Sequence, residues 1–383
     1  MTRRLLVTGF GRSGTTLLQQ LLHGQPEFCV APQPFPGLFI RAKQRHLGAR
    51  GVETPNPLDP WFPRLGGTLA DLDAFLDSDH WDEADLDELF AEVATDTNSQ
   101  VDGLPDRRGE VRPGTFFAVY DQLLALSSEL VGASGRPWVG SKEIVCEEFA
   151  ALVVARGGGA VIVIRDPRDM LASSLHGDAR TFVGARRPTL FLLRQWRKSV
   201  AFALHLHRRP GFAAVRYEDL VADPAASIAS IRRLLLGPDA EPDRETMPSV
   251  ATSGTANSSF GTLTGVSTAP VGRWSEHLDP TTAGFVETVC GPEMDCLGYV
   301  RSTVSYADRM QTIDGFVEPH VVDHARFSSD YSTNPTALEA ERRRLELVTR
   351  PDPADDLERW FLFPETHGQL QAKLDPTTLE DNR

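Results

Sequence analysis

A short apolar run, Leu5-Leu6-Val7, leads into a turn that holds three glycines within six residues, and a second apolar run starts at Leu17. This order predicts a β-strand, a glycine-rich turn and an α-helix. Such a turn directs backbone N–H groups toward a bound anion, which also faces the positive end of the helix dipole. The sequence therefore predicts a strand–turn–helix unit of an α/β sheet, with a site for a phosphorylated ligand at the turn.

Two familiar anion-binding patterns fit this turn only in part. Its glycines match the dinucleotide pattern G-x-G-x-x-G, but that pattern needs an acidic residue about 20 positions later, at the end of the second strand. Here the next apolar run, 28–30, continues into Ala-Pro-Gln, and Glu27 precedes the run. The segment Gly9–Thr16 also matches the P-loop pattern, except that Thr15 occupies the lysine position. The missing lysine argues against a nucleoside-triphosphate kinase or ATPase.

A third pattern keeps the P-loop shape and moves the cation into the turn. Arg12 supplies the guanidinium, and Ser13, Thr15 and Thr16 supply hydroxyl donors. An arginine fork can bind the tetrahedral oxygens of a 5′-phosphosulfate without a magnesium ion. The alternative, a turn that binds nothing, leaves the arginine and both threonines unexplained.

A second segment predicts another phosphate site. Residues 160–164 form a continuous apolar run, typical of a strand buried on both faces of a parallel sheet. Arg165 follows at the carboxyl end of this strand, Pro167 suits the first position of a helix, and Ser173 lies about two turns into that helix. Arg165 and Ser173 can hold a second phosphate away from the first turn, which predicts a ligand phosphorylated at two places, unlike ATP.

The chain resembles the PAPS-dependent sulfotransferase superfamily, in particular the bacterial-type small-molecule enzymes (PAPS is 3′-phosphoadenosine 5′-phosphosulfate). The resemblance covers residues 3 to about 300 and rests on segments in the family's order. These are R-S-G-T-T at 12–16, I-R-D-P-R-D-x-x-x-S at 164–173, V-R-Y-E-D-L-V at 215–221 and G-R-W at 272–274. It implies a three-layer, P-loop-like α/β fold with a central parallel sheet flanked by helices.

The resemblance also implies roles for individual residues. The loop formed by Arg12, Ser13, Gly14, Thr15 and Thr16 would hold the 5′-phosphosulfate. Arg165 and Ser173 would hold the 3′-phosphate, and the ring of Tyr217 would lie near the adenosine. Arg273 either binds phosphate or pairs with a carboxylate. The segment 241–270 would fold over the nucleotide, with Ser267 and Thr268 as further donors or as part of a plain linker.

The catalytic residues are less clearly marked. Lys142 ends the predicted strand 138–142, where related enzymes often carry a lysine in E-K-T-P or K-T-H; this chain has Ser141 before the lysine and Ile144 two places after it. Lys142 and Arg12 are the predicted catalytic cations, and Glu143 is the nearest replacement base. Neighbouring strand residues point to opposite faces, which counts against Glu143 unless the strand bends there. Other candidate bases are His176, Gln33, Asp121 and Glu147.

The α/β domain is expected over 1–301, with a mostly helical insert at 34–115 that we assign to acceptor binding. Residues 302–383 form a C-terminal extension with a helix at about 335–348. Glutamates alternate with Arg342, Arg343 and Arg344 on that helix, which favours a solvated surface helix. The apolar segment 360–363 is expected to dock on the core or on another subunit, so a homo-oligomer through the extension is one prediction.

Composition limits the partners. The net charge is −14 and the pI is near 5.2, which disfavours nucleic acid and long anionic glycans. No apolar run reaches the length of a membrane span, no clustered metal ligands occur, and the four cysteines have no metal spacing, as expected of reduced thiols in a cytoplasmic protein. We predict transfer of a sulfuryl group from PAPS to a hydroxyl of a small-molecule acceptor (metabolite, lipid or sugar conjugate), releasing PAP. A P-loop-type kinase and a non-catalytic nucleotide-binding protein remain the alternatives.

Overall fold

The computed structural model of the chain describes residues 2–52, 67–95, 101–176, 187–237, 265–302, 306–319, 335–349 and 357–372. The strands are β1 (Arg3–Thr8), β2 (Phe28–Pro32), β3 (His80–Trp81), β4 (Gly114–Thr115), β5 (Trp138–Lys142), β6 (Gly159–Ile164) and β7 (Phe212–Arg216). The helices are α1 (Thr15–His23), α2 (Pro36–Ala49), α3 (Leu69–Ser78), α4 (Glu83–Thr95), α5 (Phe116–Leu130), α6 (Glu147–Ala155), α7 (Pro167–His176), α8 (Thr189–Leu206), α9 (Tyr217–Ala222), α10 (Pro224–Leu236), α11 (Trp274–His277), α12 (Pro280–Val289), α13 (Gly291–Cys296), α14 (Tyr306–Asp314), α15 (Pro335–Thr349), α16 (Leu357–Trp360) and α17 (Thr366–Ala372).

The main sheet is parallel and has the strand order β2-β5-β1-β6-β7. The first strand is central: Val7 is in register with Lys142 of β5 on one side and with Val161 of β6 on the other. Because all five strands run the same way, their carboxyl ends meet at one edge. The loops that leave this edge carry the candidate site.

Helices cover both faces of this sheet. Side chains of β1 alternate between the faces: Leu5 and Val7 pack in a cluster with α1 and α10, whereas Leu6 packs in a second cluster with α6 and α8. Every residue of β6 is buried, because its side chains pack into one cluster or the other. Burial on both faces of the sheet explains why its sequence is a continuous apolar run. The predicted three-layer α/β fold is confirmed.

The insert is mostly helical where the structure describes it, and it contains α2, α3 and α4. Its acidic helices are compensated by arginines from α2, from the turn after residue 104 and from the end of α6. The ion pairs are Arg41 with Glu88 and Glu92, Arg45 with Asp79 and Asp85, Arg108 with Glu83 and Asp87, and Arg156 with Asp73 and Asp77. The pairs of Arg41, Arg45 and Arg108 hold the insert together, whereas those of Arg156 join α3 to α6 beside the sheet.

The expectation of a solvated C-terminal helix is wrong for one face of α15. Glu341 and Arg344 are buried, because Arg194 and Arg197 of α8 and Glu293 of α13 form ion pairs with them. Burial alone would raise the pKa of Glu341, but these arginines lower it to about 2. The alternating charges of α15 therefore dock the helix, and its partners lie far away in the sequence.

The apolar segment at 360–363 packs on the core of its own chain. Phe361 is buried, and the ring of Phe363 lies 4.9 Å from that of Phe202 and 3.9 Å from that of His205, both on α8. None of the helices in the described ranges has the length and apolar character needed to cross a lipid bilayer.

Candidate active site

Each strand of the main sheet contributes to the edge where the carboxyl ends meet. The contributions are the turn 9–14 after β1, Gln33 after β2, Lys142 at the end of β5, Arg165 after β6 and Tyr217 after β7. Ligands of open α/β sheets bind at such an edge, where the strand order reverses. The site is therefore assembled from segments spread over more than two hundred residues of sequence.

The glycine-rich turn depends on two glycines with positive φ. A Cβ on Gly9 (φ 145°) would lie 2.5 Å from the carbonyl oxygen of Val163, so the turn passes directly against β6. A Cβ on Gly14 (φ 93°) would lie 2.3 Å from Cδ2 of Tyr217. Arg12 also has a left-handed backbone, with φ 71°. Close packing thus holds the turn in a shape that L side chains rarely adopt.

The structure brings the two predicted phosphate sites into contact. Arg12 donates a hydrogen bond from Nε to Oγ of Ser173 over 3.1 Å. Arg165 donates from Nη1 to the carbonyl oxygen of Arg12 over 3.1 Å. Burial, together with the positive charge of Arg165, lowers the pKa of Arg12 to about 10. We name Arg12, Arg165 and Ser173 the arginine cluster; its two adjacent cations favour an anion between them.

One buried donor in the arginine cluster and one beside it lack a hydrogen-bond partner among the described residues. Oγ of Ser13 and Nε of Arg165 are buried and form no hydrogen bond within the described residues. Thr15 is buried at the first position of α1, and Thr16 is half-buried behind it. Buried donors without acceptors are costly unless a ligand satisfies them. The residues present therefore fit an anionic group such as a phosphate.

Arg165 lies between an aromatic ring and a closing segment. Its guanidinium carbon is 4.6 Å from the centroid of the Tyr217 ring, and Nη2 donates to the carbonyl oxygen of Pro270 over 2.6 Å. The ring of Tyr217 thus contacts both Gly14 and Arg165. Of the segment predicted to cover the nucleotide, Pro270 contacts Arg165, whereas 241–264 falls outside the described residues.

Asp169 anchors the G-R-W segment to α7. Its Oδ2 accepts the N–H of Gly272 over 2.7 Å, and its Oδ1 accepts the N–H of Trp274 over 2.8 Å. Burial raises the pKa of Asp169, while Arg165 and these two bonds oppose the rise. The residue between the two anchored positions is Arg273, whose charge acts on Tyr217. Arg273 is therefore held beside the arginine cluster.

Lys142 is buried at the end of β5. Its Nζ donates to Oε1 of Gln33, and only 2% of its surface is exposed. Burial lowers the pKa of Lys142 to about 8, against the opposing charge of Glu143. Since Lys142 is in register with Val7, whose side chain packs toward α1, the ammonium leaves the sheet on the face of the glycine-rich turn.

Glu143 leaves the strand on the other face. It is fully buried, and its Oε1 accepts the backbone N–H of Phe35 over 3.0 Å. Among the other candidate bases, Glu147 pairs with Lys198, and Asp121 pairs with Arg4 toward the amino end of β1. His176, the last residue of α7, has its ring 6.2 Å from that of His277. Within the described residues, no group of three or more His, Cys, Asp or Glu side chains could hold a metal ion.

The roles of two residues at this edge, Asp169 and Gln33, depend on contacts that the sequence does not show. Asp169 stands inside a recognised segment, but its bonds to the backbone of Gly272 and Trp274 depend on folding. Gln33 was named only as a candidate base, and its contact with Lys142 crosses from β2 to β5. A polar residue directly after a buried strand is the signal that could have marked Gln33 as a site residue.

No protein-family model matches the chain, and no curated protein sequence does. Among solved structures, the chain is similar to the sulfotransferase domain from the curacin biosynthetic pathway (16% identity, 79% of this chain and 99% of that chain, TM-score 0.45). It is also similar to the sulfotransferase domain of the olefin synthase from Synechococcus PCC 7002 (16%, 73% and 90%, 0.40). Retinol dehydratase in complex with androsterone and inactive cofactor PAP matches as well (14%, 80% and 83%, 0.36).

Proposed function

We propose that this chain transfers the sulfuryl group of PAPS to a hydroxyl of a small-molecule acceptor, giving a sulfate ester and PAP. The arginine cluster carries the proposal. A buried guanidinium, a half-buried guanidinium and a serine hydroxyl meet beside a glycine-rich turn that has threonine where a P-loop kinase has lysine. This arrangement suits a nucleotide with phosphates at two positions and requires no magnesium-bound triphosphate.

The residues divide between the two ends of the nucleotide. Arg165 and Ser173, with Arg273 at the rim, would hold the 3′-phosphate. The 5′-phosphosulfate would be held by the turn residues Ser13, Gly14, Thr15 and Thr16, and Arg12 would lie between the two anions. Tyr217 borders the adenosine side and keeps Arg165 in place through ring contact.

PAPS supplies an activated sulfuryl group, and the protein supplies position and charge. Sulfuryl transfer resembles phosphoryl transfer, in which the transition state is loose and negative charge grows on the leaving oxygen. Lys142 and Arg12 would stabilise that charge. Glu143 stays the proposed base, because it is the charged group that acts on Lys142 within the described chain. Its carboxylate must turn from the Phe35 N–H to reach an acceptor.

The acceptor would be a small molecule selected by the insert. Its helix α2 begins at Pro36, directly after the backbone N–H that Glu143 holds, so the insert starts at the edge of the site. Exchanging residues 34–115 for the corresponding segment of a sulfotransferase with a known acceptor is expected to change acceptor preference. An unchanged preference would contradict the assignment.

Calorimetric titration with PAP, ADP, ATP with magnesium, and NADP⁺ tests the nucleotide directly. We expect micromolar or tighter binding of PAP and at least tenfold weaker binding of ADP. Preference for ATP with magnesium would support a kinase, and tight NADP⁺ binding would support the dinucleotide pattern. PAP binding without turnover on any hydroxyl would favour a non-catalytic binding protein. No binding of any of the four would overturn the proposal.

A further inference from the structure

The ammonium of Lys142 has a single hydrogen-bond partner among the described residues, the amide oxygen of Gln33. Both side chains are buried, with 2% and 6% of their surface exposed. An ammonium carries three N–H donors, so a lone amide oxygen leaves two donors for a ligand. The contact can therefore orient the ammonium group while two of its N–H donors remain for a ligand.

The backbone at Gln33 directs its side chain to this contact. Pro32 of β2 is in register with Lys142 of β5, so an extended continuation would put Gln33 opposite Glu143 and on the face of Glu143. Gln33 instead has a left-handed backbone, with φ 46°, which ends the alternation. Left-handed backbone at a residue other than glycine is unfavourable and persists where the surroundings require it. Here it turns the amide toward Lys142.

The chemistry of an amide suits this position. Its oxygen accepts one N–H and carries no charge, so it orients the ammonium and leaves the positive charge available to an anion. A carboxylate would bind the ammonium more strongly, neutralise its field and compete with an anionic ligand. Sulfotransferases that resemble this chain carry their base directly before the lysine or two places after it. In this chain those two positions are Ser141 and Ile144, neither of which is a base. Gln33 is the polar side chain that contacts the lysine instead.

We propose that Gln33 is a positioning residue that holds the Lys142 ammonium toward the bound anion. The role in sulfuryl transfer rests on the proposed function, whereas the contact between the two side chains can be tested by itself. Within the described chain, the charged group that raises the pKa of Lys142 is Glu143, the next residue, and burial acts in the opposite direction. A carboxylate at position 33 would add a second negative neighbour, and an apolar side chain would remove the acceptor.

The test is the pH titration of Lys142 followed by ¹³C NMR. The chain has four lysines, Lys43, Lys142, Lys198 and Lys373, so protein labelled at lysine gives few NMR signals. The signal that disappears in Lys142→Arg is assigned to Lys142. Gln33→Met keeps the length of the side chain, and Gln33→Glu keeps its shape. Gln122→Met on α5 is the matched control, since among the described residues its amide bonds to the backbone of Arg112 and Ala118 and lies on another element.

We expect the midpoint of Lys142 to fall by about half a unit or more in Gln33→Met and to rise by about one unit or more in Gln33→Glu, because the charged form loses or gains a partner. The control midpoint is expected to stay within about 0.2 units. Unchanged midpoints in both folded Gln33 variants would overturn the proposal. If Gln33→Met does not fold, the titration midpoint of Lys142 in Gln33→Glu tests the proposal, and an unchanged midpoint in that variant would overturn it.

Activity supplies the second readout. Once an acceptor that the wild-type protein sulfates has been found, Gln33→Met is expected to lower kcat at least tenfold and to change the PAP affinity less than threefold. The basic limb of the pH profile of kcat should shift together with the NMR titration midpoint of Lys142. Unchanged kcat would overturn the positioning role. Failure of the wild-type protein to bind PAP would reject the proposed function, and the NMR titration would still decide the contact.

Discussion

Nε of Arg12 lies 3.1 Å from Oγ of Ser173 and donates a hydrogen bond to it. The bond joins the turn after β1 to the helix after β6, neighbouring strands at the centre of the sheet. Arg165 completes the contact by donating to the carbonyl oxygen of Arg12. An anion bound between these residues would compete with Ser173 for Arg12, at the point where we propose that the nucleotide binds.

Arg165→Ala is expected to weaken PAP binding about 10- to 100-fold, as expected for the loss of a hydrogen-bonded charge on phosphate. Adenosine 5′-phosphosulfate lacks the 3′-phosphate, so its affinity should change less than about threefold. Calorimetry measures the affinity for both ligands, and Arg343→Ala, a half-buried arginine that pairs with Glu346 on α15, is the control. Equal losses for the two ligands would contradict the assignment of Arg165 to the 3′-phosphate.

Asp169→Asn should weaken PAP binding about tenfold, because the amide presents N–H₂ to one of the backbone N–H groups that the carboxylate accepts. The effect is expected to pass through Arg273 and also through Arg165, whose guanidinium lies 3.9 Å from the Asp169 carboxylate, so adding Arg273→Ala should bring less than the additive loss. Affinities of both single variants and the double variant form the cycle, with exposed Asp87→Asn as control. Fully additive losses would show that Asp169 does not act through Arg273.

Gly14→Ala should destabilise the fold by about 2–4 kcal/mol, because it combines left-handed strain with a collision against the Tyr217 ring. Gly157→Ala is the matched control: its φ is also positive, at 78°, but no atom lies within 4 Å of its Cβ. The control isolates the backbone cost of about 1–2 kcal/mol. Urea unfolding compares the two, and equal losses would argue against tight packing of the turn.

The pH dependence of turnover should report Lys142. The transition state needs its protonated form, and burial lowers its pKa to about 8, so kcat should fall as the pH rises through about 8. Lys142→Ala should lower kcat about 100-fold or more with little change in PAP affinity, since the charge acts mainly in the transition state. Lys142→Arg keeps the positive charge over the accessible pH range, so its kcat should not fall as the pH rises through about 8. A pure affinity defect in Lys142→Ala would remove the residue from catalysis.

Glu341→Ala should lower the free energy of unfolding by about 3–5 kcal/mol, because it leaves buried arginines uncompensated. Glu339→Ala, whose carboxylate is 67% exposed, should cost less than about 1 kcal/mol. The folded pKa of Glu341, about 2, lies below its ordinary value of 4.5, so its stabilisation is present above pH 4.5 and is lost as the pH falls toward 2. The difference between the wild type and Glu341→Ala in urea unfolding should shrink over that range.

Local patterns predicted the elements that position the site. The predicted strand at 138–142 has the bounds of β5, and α7 begins at Pro167 as expected. These features depend on periodicity, caps and proline geometry, which neighbouring residues decide. The direction of Glu143 also followed from strand alternation, since its carboxylate lies on the face opposite to Lys142.

The strand–turn–helix units can be predicted from local sequence, because their hydrogen bonds and apolar faces involve residues a few positions apart. Which side chains meet at the edge of the sheet depends on long-range packing. The strand order puts β5 and β6 beside β1, and this brings Lys142, Arg165 and Arg12 to one place. The contact of Gln33 with Lys142 and the burial of Glu341 arise in the same way. Their partners come from distant segments, so their energies depend on packing that no local pattern encodes.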